Sequence, residues 1–125
     1  MKYLMVMILA LFWSLTGVAH AGYGVTKPAY AENGMMVSAT GMTLYTFDKD
    51  KPGASTCVDA CAAIWPPYLA ATGSKPVGDF TLVARGDGKY QWAYKGKPLY
   101  LYAQDKAKGD KSGDKIKEVW HIVPY

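Results

Sequence analysis

GMTLYTFDKDK at residues 41–51 and GKPLYLYAQDK at residues 96–106 are one pattern written twice. A shift of 55 residues, with no gap, lays Gly41 on Gly96, Leu44 on Leu99, Tyr45 on Tyr100, Phe47 on Tyr102, Asp50 on Asp105 and Lys51 on Lys106. The register continues to Asp59 on Asp114 and Trp65 on Trp120, so each copy carries a tryptophan 20 positions after its first tyrosine. Self-similarity at a fixed offset marks a duplicated structural unit. The units are centred on residues 35–65 and 90–120.

Within each copy the alternation is that of a strand, where successive side chains point to opposite faces. Tyr45 and Phe47 share one face, with Leu44 and Thr46 on the other. Tyr100 and Tyr102 share a face opposite Leu99 and Leu101. Upstream, Met35–Ala39 and Tyr90–Tyr94 read as strands turned by Thr40-Gly41 and Lys95-Gly96. Arg85-Gly-Asp-Gly88 reads as a turn between Phe80–Ala84 and Tyr90–Tyr94. Glu118–Val123 is a last strand. The connectors differ: Thr56–Ile64 predicts a short helix capped by Ser55 or Thr56 and stopped by Trp65-Pro-Pro. Lys106–Lys117, rich in Lys, Gly and Asp, predicts a solvated, mobile loop. The expected fold is therefore mainly β (α+β): one domain, an antiparallel sheet from two tandem units around a shared aromatic core, and one short helix.

Both motif strands fit Y-x-[FWY]-x-x-D, as Tyr45-Thr-Phe47-Asp-Lys-Asp50 and Tyr100-Leu-Tyr102-Ala-Gln-Asp105. With Cys57-Val-Asp-Ala-Cys61-Ala-Ala-Ile-Trp65-Pro-Pro and Gln91-Trp-Ala-Tyr94-Lys-Gly96-Lys-Pro98-Leu-Tyr100 around them, the chain resembles the secreted-repeat family of small bacterial lipoproteins. The resemblance covers nearly all of residues 35–125 and implies an exported β-rich protein. It implies no particular activity. Unlike a lipoprotein, this chain has no cysteine after its leader to accept an acyl anchor.

The N-terminus reads as that leader. Met1-Lys2 is a short basic start, Leu4–Leu15 is apolar except for Ser14, and Ala19-His-Ala21 is a small-residue cleavage pattern. The apolar run falls short of the about 20 residues a membrane-spanning helix needs. Cleavage after Ala21 leaves residues 22–125, with no further segment able to span a membrane, in the periplasm or outside the cell. Without Lys2 the basic count falls from 14 to 13 against 10 acids, a net charge of +3. That mild charge does not imply nucleic acid binding, and export takes the chain away from the compartment where most nucleic acid lies, so no nucleic acid partner is expected.

The motif has a structural use in view. Paired rings bury large areas, and the aspartate beyond the strand can accept from turn N–H groups or from a tyrosine hydroxyl of a neighbouring strand. Trp65, Trp92 and Trp120 are expected to join those rings in the core. A sharper possibility is a single aromatic binding face for a sugar, quinone or peptide, made by Tyr45, Tyr90, Trp92, Tyr94, Tyr100 and Tyr102. Cys57 and Cys61, in an oxidising compartment, are expected to form a disulfide clip. The alternative is a metal-binding or electron-transfer accessory protein. Cys57 and Cys61 would then be a thiolate pair, with His121 and Met35, Met36 or Met42 as further ligands. No catalytic constellation is present: the mature chain has one histidine, His121, and no serine patterned with it. The expectation is a non-enzymatic binding or structural module with no cofactor and an envelope ligand or partner.

Overall fold

The computed structural model describes residues 26–125. The leader and its cleavage site at Ala21 lie outside the described residues. The strands are β1 (Ala29–Glu32), β2 (Met35–Ser38), β3 (Tyr45–Phe47), β4 (Phe80–Ala84), β5 (Tyr90–Tyr94), β6 (Lys97–Pro98) and β7 (Trp120–Ile122). One helix, α1 (Ala60–Ile64), precedes Trp65, and a 3-10 turn (Ile116–Glu118) stands in the same relation to Trp120. All strand pairing is antiparallel. In place of one sheet there are three small ones, β1-β2, β3-β7 and β4-β5-β6. Isolated bridges such as Tyr45↔Tyr100, Pro67↔Tyr100, Met35↔Pro124 and Leu69↔Gln91 stitch them together.

β1 was not anticipated from the sequence. Only Ala29 of its four residues is buried, so it carries no alternating apolar signal. Its hairpin partner is set by Asn33-Gly34, both at positive φ (52° and 78°), the conformation of a two-residue primed turn. Lys95-Gly96 makes a turn of the same kind between β5 and β6, at 50° and 85°, although its counterpart in the 55-residue register is Thr40-Gly41. The first copy is thus the hairpin β1–β2, the motif strand β3 and a helical connector; in the second, the motif segment Leu99–Tyr102 is not the expected strand but an extended run that pairs only through isolated bridges at Tyr100.

The connectors depart from expectation. Asp59 has φ 53°, which breaks the right-handed helix before Ala60. Neither Ser55 nor Thr56 caps α1; the Thr56 N–H and hydroxyl instead donate to Asp50 at 2.7 and 2.8 Å. Glu118 is at φ 58°, so the last strand begins only at Trp120. The lysine-rich stretch keeps its side chains in solvent, but its backbone is tied down. Ser112 N–H donates to Asp105 at 2.9 Å, and Asp110 accepts from the Lys106 and Ala107 N–H groups at 2.8 and 2.9 Å. Charge keeps the lysines outward, as expected of a solvated stretch, while these carboxylates shape its turns.

Two cores sandwich the motif segments. One gathers Ala29, Met36, Leu44, Phe80, Trp92, Leu99 and Val123. The other gathers Tyr45, Cys57, Trp65, Tyr100 and Trp120, with Phe47 and Tyr102 packed on it. The period-2 alternation has sent the leucines of both copies to one side and the tyrosines to the other. Leu44, Tyr45, Leu99 and Tyr100 are all fully buried. The expected single aromatic core is therefore two cores, and Trp92 belongs with the leucines rather than with Trp65 and Trp120.

Candidate functional site

The two copies meet through equivalent residues. Tyr45 and Tyr100 exchange backbone hydrogen bonds, N–H to O at 2.8 and 2.9 Å, on an approximate internal twofold. Their side chains then cross to the opposite copy. The Tyr45 hydroxyl donates to Asp105 at 2.6 Å, and the Tyr100 hydroxyl donates to Asp50 at 2.6 Å. Each aspartate uses its second oxygen on the turn that follows its own motif segment, Asp50 on Thr56 and Asp105 on Ser112. Each motif segment is thus locked by the aspartate of the other copy.

The tryptophans close the same symmetry. Trp65 and Trp120 stack with centroids 3.8 Å apart and planes 3° from parallel. Phe47 caps Trp120 at 4.2 Å and Tyr102 caps Trp65 at 4.2 Å, making a column of four rings. Tyr45 meets Trp65 edge-on at 5.3 Å and Tyr100 meets Trp120 likewise at 5.2 Å. Edge-to-face and offset stacking are the favoured aromatic geometries. Gly113 is buried against the column; a Cβ there would sit 2.5 Å from the Trp65 ring and 3.0 Å from Tyr102. Nothing in the polar composition around Gly113 signals that packing.

The hydroxyls sit in ordered relays. Arg85 donates to the Ser55 Oγ at 3.1 Å, Ser55 and the Tyr100 hydroxyl lie 2.6 Å apart, and Tyr100 donates to Asp50. Arg85 also donates to Gln91 at 2.8 Å and to the Cys57 carbonyl at 3.3 Å. In the other copy the Gly113 N–H donates to the Tyr45 hydroxyl at 3.2 Å, in the place of Ser55. Sequence reasoning missed Arg85 and Gln91. The available signal was that Arg85 is the only arginine among 14 basic residues, and arginine suits fixed, multidentate contacts that lysine does not.

Burial first, and then the hydrogen bond to the carboxylate, hold the Tyr45 and Tyr100 hydroxyls well above their ordinary pKa. The fold keeps these phenolic protons to higher pH than the unfolded chain does. Their contribution to stability is therefore whole below about pH 10, the unfolded tyrosine value, and is lost as pH rises beyond it. The urea midpoint is expected to fall from about pH 10 upward, and less steeply in Tyr45→Phe. A midpoint flat to pH 11 in the wild type would refute this.

Cys57 and Cys61 are joined as a disulfide with Cα atoms 5.2 Å apart. Cys57 lies before α1 and is fully buried in the aromatic core, so the bond ties the preceding loop to the helix rather than linking one helix face. The other residues considered as metal ligands are elsewhere. His121 Nε2 is 2.7 Å from an Asp48 carboxylate oxygen. Met36 is buried in the leucine-side core. Among the described residues, no three His, Cys, Asp or Glu side chains gather to hold a metal ion. Nor do the six aromatics form one face: Tyr45, Tyr100 and Tyr102 pack in one core, Trp92 and Tyr94 in the other, and Tyr90 is exposed.

A family model described as a secreted repeat of unknown function matches the chain twice, over residues 29–68 and 81–124. The chain belongs to this family. Each matched segment of the secreted repeat spans one hairpin, one motif segment and one tryptophan of the ring column. No curated protein and no solved structure matches it. Among its described residues, no helix is long and apolar enough to cross a membrane.

Proposed function

We propose that this secreted repeat is a non-enzymatic module of the cell envelope, exported to the periplasm or beyond once residues 1–21 are removed, and that it binds a ligand or partner there. Its doubled Y-x-[FWY]-x-x-D motif is the lock that holds two copies in one rigid body. The observation that carries this is the crossed pairing of Tyr45 with Asp105 and of Tyr100 with Asp50. The motif's own hydroxyls and carboxylates are spent on internal hydrogen bonds, and the protons of Tyr45 and Tyr100 are held more tightly than in water.

A metal or electron-transfer role for Cys57 and Cys61 requires thiolates. The closed disulfide favours a clip instead. Closing so short a ring stabilises by about 2 kcal/mol on the loop-entropy account. The test is thiol titration and elemental analysis of mature protein taken from the envelope fraction. No free thiol and no stoichiometric metal are expected. Cys57→Ala/Cys61→Ala is expected to lose about 2 kcal/mol in urea unfolding while keeping its far-UV spectrum. Stoichiometric copper or zinc, or reversible cycling of the pair with the protein unchanged in stability, would replace this reading with the metal or redox one.

A further inference from the structure

The ring column is not wholly covered. A groove of about 460 Å³ runs along it, within the size range of about 300–1,000 Å³ typical of small-molecule sites. Its walls are the two equivalent connectors. Cys61 and Ile64 of α1 line it opposite Ile116 of the 3-10 turn and Val119 just after it, with Trp65 and Trp120 between them. Each of these three pairs is separated by 55 residues, so the groove lies on the internal twofold. It exists only because both copies are present.

Three features say what would fill it. First, α1 buries none of its own residues, and Ile64 remains 52% exposed on the wall, leaving apolar surface that the fold itself does not use. Second, the only charged residues lining the groove are Lys49 and Lys117, both exposed, and no carboxylate stands among the lining residues. Third, Trp65 has Trp120 on one face and Tyr102 on the other, while Trp120 has Trp65 and Phe47. The tryptophans, 5% and 3% exposed, therefore offer the groove no ring face and only a thin strip of edge, which carries the positive part of the ring quadrupole. Charged and neutral lining alike favour negative charge next to an apolar body. Lys117 also sits at φ 51°, a conformation that costs energy in a non-glycine residue and that recurs at ligand sites.

We propose that this groove binds a small free anionic amphiphile, an apolar chain or ring bearing a carboxylate or phosphate, with the head held by Lys49 and Lys117 and the body laid along the tryptophan edges between α1 and the 3-10 turn. The proposal deepens the binding-module reading and rests on it.

The test is a titration of the mature protein with decanoate below its micelle concentration, followed by calorimetry and by tryptophan fluorescence. Saturable 1:1 binding with a fluorescence change is expected. 1-Decanol should bind at least about tenfold more weakly, and so should decanoate to Lys49→Glu/Lys117→Glu, since the head loses its attraction or meets two repelling charges. Ile64→Glu should weaken decanoate as well. These positions are exposed, so thermal unfolding should show the variants folded. Lys75→Glu/Lys89→Glu, at the separate cavity beside Leu69 and Tyr90, should bind as the wild type does. Equal affinity for decanol, an undiminished Lys49→Glu/Lys117→Glu variant, or no saturable binding would overturn the proposal. So would attachment to anionic vesicles with no response to decanoate. Such a failure removes the ligand and leaves the thiol and metal results of the module reading untouched.

Discussion

Tyr45→Ala is expected to leave little or no folded protein. The ring is fully buried between Trp65 and Tyr102. Deleting a buried aromatic of this size costs about 3–5 kcal/mol. The loss also strips buried Asp105 of its tyrosine partner, which adds about 1–3 kcal/mol. Together these rival the whole stability of a small domain, about 5–15 kcal/mol. Tyr45→Phe isolates the hydroxyl and should lower urea stability by about 1–3 kcal/mol. The deciding measurement is a pair of double-mutant cycles. Tyr45→Phe should couple to Asp105→Asn by about 1 kcal/mol or more and to Asp50→Asn by no more than about 0.5 kcal/mol. Coupling to Asp50, the aspartate of Tyr45's own motif, would show that the two copies are locked separately and would sink the crossed arrangement.

Trp65→Ala and Trp120→Ala are expected to be almost as damaging, at about 3–5 kcal/mol each, and similar to one another. Both indoles are nearly inaccessible, and each touches one capping ring, one tyrosine edge and the other tryptophan. Because they share the 3.8 Å stack, their losses should not add: the double variant should cost less than the sum by about 0.5–3 kcal/mol. Trp92→Ala, in the other core, should add to either within about 0.5 kcal/mol. Where the Ala variants do not fold, Trp65→Phe and Trp120→Phe carry the same comparison. Additive losses at Trp65 and Trp120 would mean that the rings do not form one column in solution.

Part of this architecture is legible in residues 41–51 and 96–106. The period-2 alternation separates Leu44 and Leu99 from Tyr45 and Tyr100, and the structure sends the two sets into different cores. The repeat offset pairs Trp65 with Trp120, and the fold stacks them. Turn chemistry at Lys95-Gly96 and the break at Trp65-Pro66 behave as local rules require. Elsewhere local rules mislead. Thr56–Ile64 looks helical from its alanines, yet Asp59 turns left-handed, and the disulfide ties the loop before it to the helix. Lys106–Lys117 reads from its charges only as solvated, and the turns that Asp105 and Asp110 build on its backbone N–H groups are not legible there.

Covalent pattern alone determined that two like extended segments exist, which side chains share each face and where turns interrupt them, because these depend on backbone sterics and on the alternation of neighbouring residues. Tertiary structure decided what each face meets: that Tyr45 reaches an aspartate 60 residues away, that one core became two, and that Gly113 lies under an indole. A strand's periodicity assigns a direction to every side chain but says nothing of the distance or identity of what stands opposite. Those follow only when equivalent segments pack against each other across a common axis.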